Sequence, residues 1–346
     1  MRNSDEEENG LLSKEEEMYQ VWRRPCEWTA CLQVRRCFSS LVNIEKVRVV
    51  EVGPRDGLQN ESKFVPTERK VKLVEDLVDA GIGNVEVTSF VSPQWVPQLS
   101  DSAEVFSSVK KKPGVNYTVL VPNARGFETA KEVSARQIAV FAAASETFSK
   151  KNLNLSVSES LEKYKSICAD ALENGMKIRG YVSTVVRCPY EGEIKPERVA
   201  DVAVSLLEMG CFEVSLGDTI GAATPGEVEN LLKVVSERVP ISKLAVHFHD
   251  TCGTALANVL VALQAGVHAV DSSVGGLGGC PYAPGAAGNL ATEDLVYMLQ
   301  GMGIDIGGID LNRVAKLGHE MCKFLERPNG SKCGQAIYSS SKNSQT

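Results

Sequence analysis

Lys243-Leu-Ala-Val-His-Phe-His-Asp-Thr251 runs from an apolar strand into a helical segment, Thr251–Ala265, that closes on Gly266. Leu244, Ala245, Val246 and Phe248 give its first half the character of a buried strand. Glycine after the last helical residue is an ordinary helix stop. His247 and His249 stand two apart, so on a strand their side chains share one face. Two imidazoles converging at a strand end, in a chain with four histidines, point to half of a metal site.

The same strand-then-helix unit recurs on both sides of this stretch. Short apolar strands read at 47–52, 84–89, 117–122, 137–143, 177–183, 211–216, 243–249 and 267–274. Helical stretches lie between them: Thr67–Ala80, Asp101–Lys111, Ala124–Val133, Ser156–Asn174, Pro196–Met209 and Thr224–Val239, besides the one already quoted. Ser156 with Glu159 three residues on has the pattern of a capping box, and Thr224 precedes Pro225 at a first helical position. Eight such units over roughly 250 residues match a (β/α)8 barrel, the TIM-barrel architecture. A doubly wound open sheet fits less well, because no G-x-G-x-x-G follows the first strand. Two further helical stretches, near Thr292–Gln300 and Leu311–Leu325, extend the barrel at its C-terminal side.

Composition narrows the function classes. A hydrophobic content of 43% and a charged content of 23% suit a globular protein with a sizeable core. The net charge of −7 argues against generic nucleic-acid binding. Most of that charge sits in residues 1–17, where seven acids face Arg2 and Lys14. No apolar run approaches the ~18 residues that suggest a membrane span. Ten scattered cysteines without a C-x-x-C pair read as reduced thiols of an intracellular compartment.

The chain divides into residues 1–41, a catalytic barrel with C-terminal helices over 42–326, and a polar, Ser-rich tail over 327–346 that reads as frayed. Residues 1–17 are acidic and read as disordered. From Met18 to Leu41, Arg23, Arg24, Arg35 and Arg36 face a single acid, Glu27. That is an organelle-targeting composition, and initiation at Met18 would remove the acidic leader in front of it. The mitochondrial matrix is the expected location, with the cytoplasm as the alternative.

Active sites of this fold gather at the C-terminal ends of the strands. Those ends offer Arg55, Asp56 and Gln59 after strand 1, Glu86 and Ser89 on strand 2, and Asn123 after strand 3. Strand 5 adds Arg179 and Tyr181, strand 6 Asp218, and strand 7 the two histidines, with Asn289 past the eighth. Taken singly, each acid could equally be an N-cap or half of a salt bridge. Together, an Asp, two His and an amide oxygen make a mixed nitrogen–oxygen set suited to Mg²⁺ or Mn²⁺; two imidazoles with oxygens would also suit zinc. Residues 275–285 hold five glycines around Cys280, a candidate proton donor in a loop that can approach closely or hinge.

These residues together resemble the 3-hydroxy-3-methylglutaryl-CoA lyase family of metal-dependent barrel lyases, over about Val47 to Asn329. The resemblance is carried by EVGPRDGLQNE (51–61), TSFVSPQWVPQ (88–98), RGYVS (179–183), CPYEG (188–192), SLGDTIG (215–221), HFHDT (247–251), GLGGCPYAPGAAGNLATEDLVYML (276–299) and RPNGSK (327–332). It implies Asp56, His247, His249 and Asn289 as ligands of Mg²⁺ or Mn²⁺. It further implies Arg55 as the polarising residue, Cys280 as the catalytic loop cysteine, and Glu86 and Asp218 as essential acids. Gln59, Ser89, Arg179 and Tyr181 would line an acyl-CoA substrate, and a homodimer is the implied assembly. The implied reaction is retro-Claisen cleavage of 3-hydroxy-3-methylglutaryl-CoA to acetyl-CoA and acetoacetate. The sequence departs from the family pattern at Ser62, at Cys252-Gly-Thr254 and at Arg187. A related condensing synthase, which would run carbon–carbon bond formation on the same barrel, is the second reading.

Overall fold

A computed structural model of the chain describes Val42, residues 44–279 and residues 288–342. The eight expected strands are all present: β1 Arg48–Glu51, β2 Asn84–Ser89, β3 Asn116–Leu120, β4 Gln137–Ala143, β5 Lys177–Ser183, β6 Glu213–Asp218, β7 Leu244–Phe248 and β8 Ala269–Ser272. They pair in parallel in the order β1-β8-β7-β6-β5-β4-β3-β2 and close into a barrel. The surrounding helices are α1 Thr67–Asp79, α2 Ser102–Ser108, α3 Ala124–Glu132, α4 Glu146–Leu153, α5 Val157–Glu173, α6 Pro196–Glu208, α7 Pro225–Ser236 and α8 Ala255–Gln264. Three more follow the barrel: α9 Thr292–Gly301, α10 Leu311–Leu325 and α11 Lys332–Lys342.

Strand alternation sorts the side chains into two environments. On β5, Ile178 and Val182 face outward into the shell of helices, while Tyr181 packs inside the barrel with Leu120 and Ala139. On β6, Val214 and Leu216 take the outer side. The helices answer with apolar stripes; α1 buries Leu73, Val74, Leu77 and Val78 on one face. Leu77 has no exposed surface, so Leu77→Ala would cost about 2–5 kcal/mol.

Three local expectations are corrected. The helix read from Thr251 begins at Ala255, because Asp250 Oδ1 accepts the Ala255 N–H at 2.9 Å and Gly253 turns the chain at φ +70°. Residues 146–153, unassigned from sequence, form α4 between Ser145, whose hydroxyl accepts the Phe148 N–H, and the left-handed Asn154. The tail is not frayed over 332–342. Asp294 of α9 caps α11 by accepting the N–H groups of Lys332 and Cys333, and the Ser331 hydroxyl donates to the same carboxylate at 2.8 Å. His319 of α10 stacks on Tyr338 with ring centroids 3.4 Å apart. Residues 1–41, where the targeting segment is expected, lie outside the described residues, as does Cys280.

Candidate active site

The chain leaves β1 through a tight π-type turn, Gly53–Gly57, in which the Arg55, Asp56 and Gly57 N–H groups all converge on Val52 O. Glycine is required at its end: a Cβ on Gly57 would sit 2.7 Å from Ser273 Oγ and 2.9 Å from Leu277 Cβ. The turn points Arg55 and Asp56 into a cavity of about 560 Å³ at the barrel mouth. Gln59, Ser89, Asn123, Tyr181, His247 and His249 also line it, as the strand-end reading expects. So do Trp95, Phe141 and, from the α4–α5 region, Lys151, Asn152, Asn154 and Lys163, which that reading missed. Their legible signal was the Ser145 and Asn154 pair that brackets α4.

Asp56, His247 and His249 come together at the centre, each with a ligand atom within 4.8 Å of the others. His247 Nε2 lies 3.8 Å and His249 Nε2 4.0 Å from Asp56 Oδ2. Burial pushes the Asp56 carboxyl up, but Arg55 at 2.6 Å, the two imidazoles and the Asn289 amide outweigh it and hold it well below the usual carboxylate range. Burial and then the neighbouring His247 push His249 down to about 4, so its imidazole is neutral. His249 Nδ1 is buried and finds no hydrogen-bond partner among the described residues. An ionised carboxylate and two imidazoles aimed at one point, in a buried setting, fit a divalent cation. Asn289 is adjacent, but it presents nitrogen: Nδ2 donates to Asp56 Oδ2 at 2.8 Å and to Leu277 O at 3.1 Å. Ligation through its oxygen requires the amide to turn over.

Behind this cluster a second row of polar groups fixes the first. Glu86, fully buried, accepts from Arg55 Nε at 3.0 Å and Nη2 at 3.3 Å, and from the Tyr181 hydroxyl at 2.6 Å. A guanidinium gripped at both ends presents a fixed positive charge. Arg179, expected to line the substrate, is 1% exposed in the barrel interior and is not part of the cavity lining. It donates to Glu213, Asp271 and the Tyr181 hydroxyl. Asp218 also lies outside the cavity lining. Gly217 registers with His247, so Asp218 registers with Phe248 and turns to the outer side of the strand. There it accepts the Ala223 N–H at 2.8 Å and braces the loop after β6. Burial raises its pKa against the backbone N–H groups of 221–223. Glu213, Ser215 and Asp271, which sequence reading passed over, share the inward face with His247.

Comparison with known proteins places this geometry. The HMGL-like family model matches residues 46–320. Mitochondrial hydroxymethylglutaryl-CoA lyase of Bos taurus is 56% identical over 292 residues, 84% of this chain and 90% of that protein. A cytoplasmic 3-hydroxy-3-methylglutaryl-CoA lyase of Mus musculus is 52% identical, covering 85% of each chain. Among solved structures, hydroxymethylglutaryl-CoA lyase from Pseudomonas aeruginosa superposes with a TM-score of 0.84 at 49% identity, covering 86% of this chain and 99% of that one. An HMG-CoA lyase from Acinetobacter baumannii in complex with coenzyme A and 3-methylmalate gives 0.80 at 36% identity, over 84% and 95%. A (β/α)8 barrel with this mouth, matched along most of its length, belongs to the HMGL-like family of lyases.

Proposed function

We propose that the chain cleaves (S)-3-hydroxy-3-methylglutaryl-CoA to acetyl-CoA and acetoacetate. The observation that carries this is the Arg55–Asp56 pair set beside His247 and His249 in one cavity. Asp56, His247 and His249, with Asn289 turned over, would hold Mg²⁺ or Mn²⁺. There such an ion would supply Lewis acidity to the substrate's tertiary hydroxyl, lowering its pKa. As the C2–C3 bond breaks, the hydroxyl proton passes to Asp56 or a site histidine, and the bonding electrons move onto the thioester as an enolate. Arg55, held by Glu86, offers fixed positive charge where the enolate oxygen forms; such charge stabilisation is usually the largest catalytic contribution. Arg55 also holds Asp56 strongly ionised, which weighs against Asp56 as the base. Cys280 is assigned the return of a proton to carbon, giving acetyl-CoA. Lys151 and Lys163 on the outer wall suit the phosphates of an acyl-CoA.

Acetoacetate release by the purified full chain, with and without Mg²⁺ or Mn²⁺, tests the reading. Metal-dependent release that vanishes in Asp56→Ala supports it; a folded, metal-loaded protein that releases none overturns it. The synthase reading lacks support of this kind, since the relatives compared are lyases.

The Arg-rich segment 18–41 and the mitochondrial relatives support import into the matrix, while the cytoplasmic relative keeps the alternative open. Deleting residues 1–41 and following the protein by fractionation separates the two. A homodimer is proposed from the family resemblance and is checked by light scattering.

A further inference from the structure

His247 and His249 approach Asp56 through the same ring nitrogen, yet their other nitrogens differ. His249 Nδ1 has no partner among the described residues, whereas His247 Nδ1 lies 3.3 Å from Asp271 Oδ2. Asp271 sits on β8 directly opposite His247 in the strand register and is 1% exposed. Its carboxylate is tightly placed. Arg179 Nη2 donates to Oδ1 at 2.7 Å, while Arg179 Nη1 at 3.1 Å and Ser215 Oγ at 2.9 Å donate to Oδ2. Arg179 is itself anchored by Glu213 at 2.8 Å, and Glu213 also pairs with Arg48. The two guanidinium groups and two carboxylates balance without any charge on the imidazole.

We propose that Asp271, held in place by Arg179 and Ser215, is the positioning residue that fixes the tautomer and ring orientation of His247, turning its Nε2 lone pair toward Asp56 and His249. The reason is chemical. An ionised carboxylate can only accept, so the ring nitrogen facing it carries the proton and the far nitrogen is left free to ligate. Carboxylate partners of this kind orient ligand histidines and raise their basicity. The assignment also gives Arg179 a role: it places Asp271, and through the Tyr181 hydroxyl and Glu86 it reaches Arg55. A closed ring of contacts therefore links the cation-facing arm of the site to the arm carrying the positive charge. Replacing Asp271 disturbs the first arm through His247 without touching substrate.

This inference builds on the reading of Asp56, His247 and His249 as a cation site, and the test separates the two. Mn²⁺ alone is titrated into the metal-free full chain and into Asp271→Asn, with free Mn²⁺ read by electron paramagnetic resonance. Imidazole ¹⁵N shifts of the metal-free proteins are recorded at about pH 9, where histidine is neutral. His247 is assigned by its loss in His247→Gln. The expected result is an Nδ1–H, bare-Nε2 signal for His247 in the parent chain, lost or mixed in Asp271→Asn, with Mn²⁺ affinity weakened about 10- to 100-fold. Unchanged affinity and an unchanged His247 tautomer in Asp271→Asn overturn the inference. An Nε2–H tautomer in the parent chain overturns it by itself, even if the variant fails to fold. Absence of Mn²⁺ uptake by the parent chain defeats the cation-site reading instead, while the nitrogen shifts still decide the tautomer.

Discussion

Acids at the barrel mouth and at the stem of the glycine-rich segment meet opposite fates. At the mouth, Asp56 faces Arg55 and two imidazoles and stays ionised. At the stem of the glycine-rich segment, Glu51 accepts from the Gly53 and Val274 N–H groups and the Thr292 hydroxyl, and Glu293 accepts from the Gly275 N–H. Among the described residues no cation joins them there. Burial raises Glu51 to about 7 and Glu293 to about 8, with those donors only partly offsetting it. Asp56 keeps 20% of its side chain exposed, whereas Glu51 and Glu293 keep none, and of the three it alone has countercharges; both differences favour its ionised form. The mouth thus holds standing charge for chemistry, while the stem uses near-neutral acids to clamp backbone N–H groups at 274 and 275.

The largest effect falls on the mouth. His249→Ala should abolish Mn²⁺ retention and lower kcat at least about 10³-fold, read by metal analysis and acetoacetate release. Retained metal with full activity would remove His249 from the site. Next, Arg55→Gln should lower kcat by about 10²–10³ with little change in KM, since the charge acts on the forming enolate. The same change leaves buried Glu86 without its cationic partner, with only the Tyr181 hydroxyl donating to it, so the melting temperature should fall as well. A loss falling mainly on KM would turn Arg55 into a binding residue.

The stem predicts a milder, pH-dependent effect. Folding raises both glutamates above their ordinary 4.5, so the folded chain holds protons that the unfolded chain has already released. The stability they confer is full below pH 4.5 and is lost as pH rises through 7 to 8. Melting temperature measured from acid to alkaline pH should decline over that window, and Glu293→Gln should flatten the decline. An unchanged slope in that variant would mean that Glu293 does not titrate there. Outside both groups, Arg187 forms an exposed pair with Glu227 at 2.6 Å. Arg187→Ala should therefore move stability by no more than about 1 kcal/mol and leave kcat unchanged, despite its departure from the family pattern.

The alternation of strands and helices, the shared face of His247 and His249, and the glycine-bounded turn bearing Arg55 and Asp56 were determined by the sequence alone. Each depends on local geometry: a period of two on strands, caps and glycines at helix ends. Local parity also held an unused clue, since Asp218 shares its side of β6 with Val214 and Leu216 and so had to face outward. Height along the barrel axis was decided only by the tertiary structure. Arg179 and Tyr181 share a face, yet only Tyr181 lines the cavity, because cross-strand register places Arg179 beside Glu213, one layer deeper. The bond from His247 to Asp271 and the capping of α11 by Asp294 are decided in the same way. Both join residues distant in the chain, and no local periodicity encodes a contact that exists only once the barrel has closed.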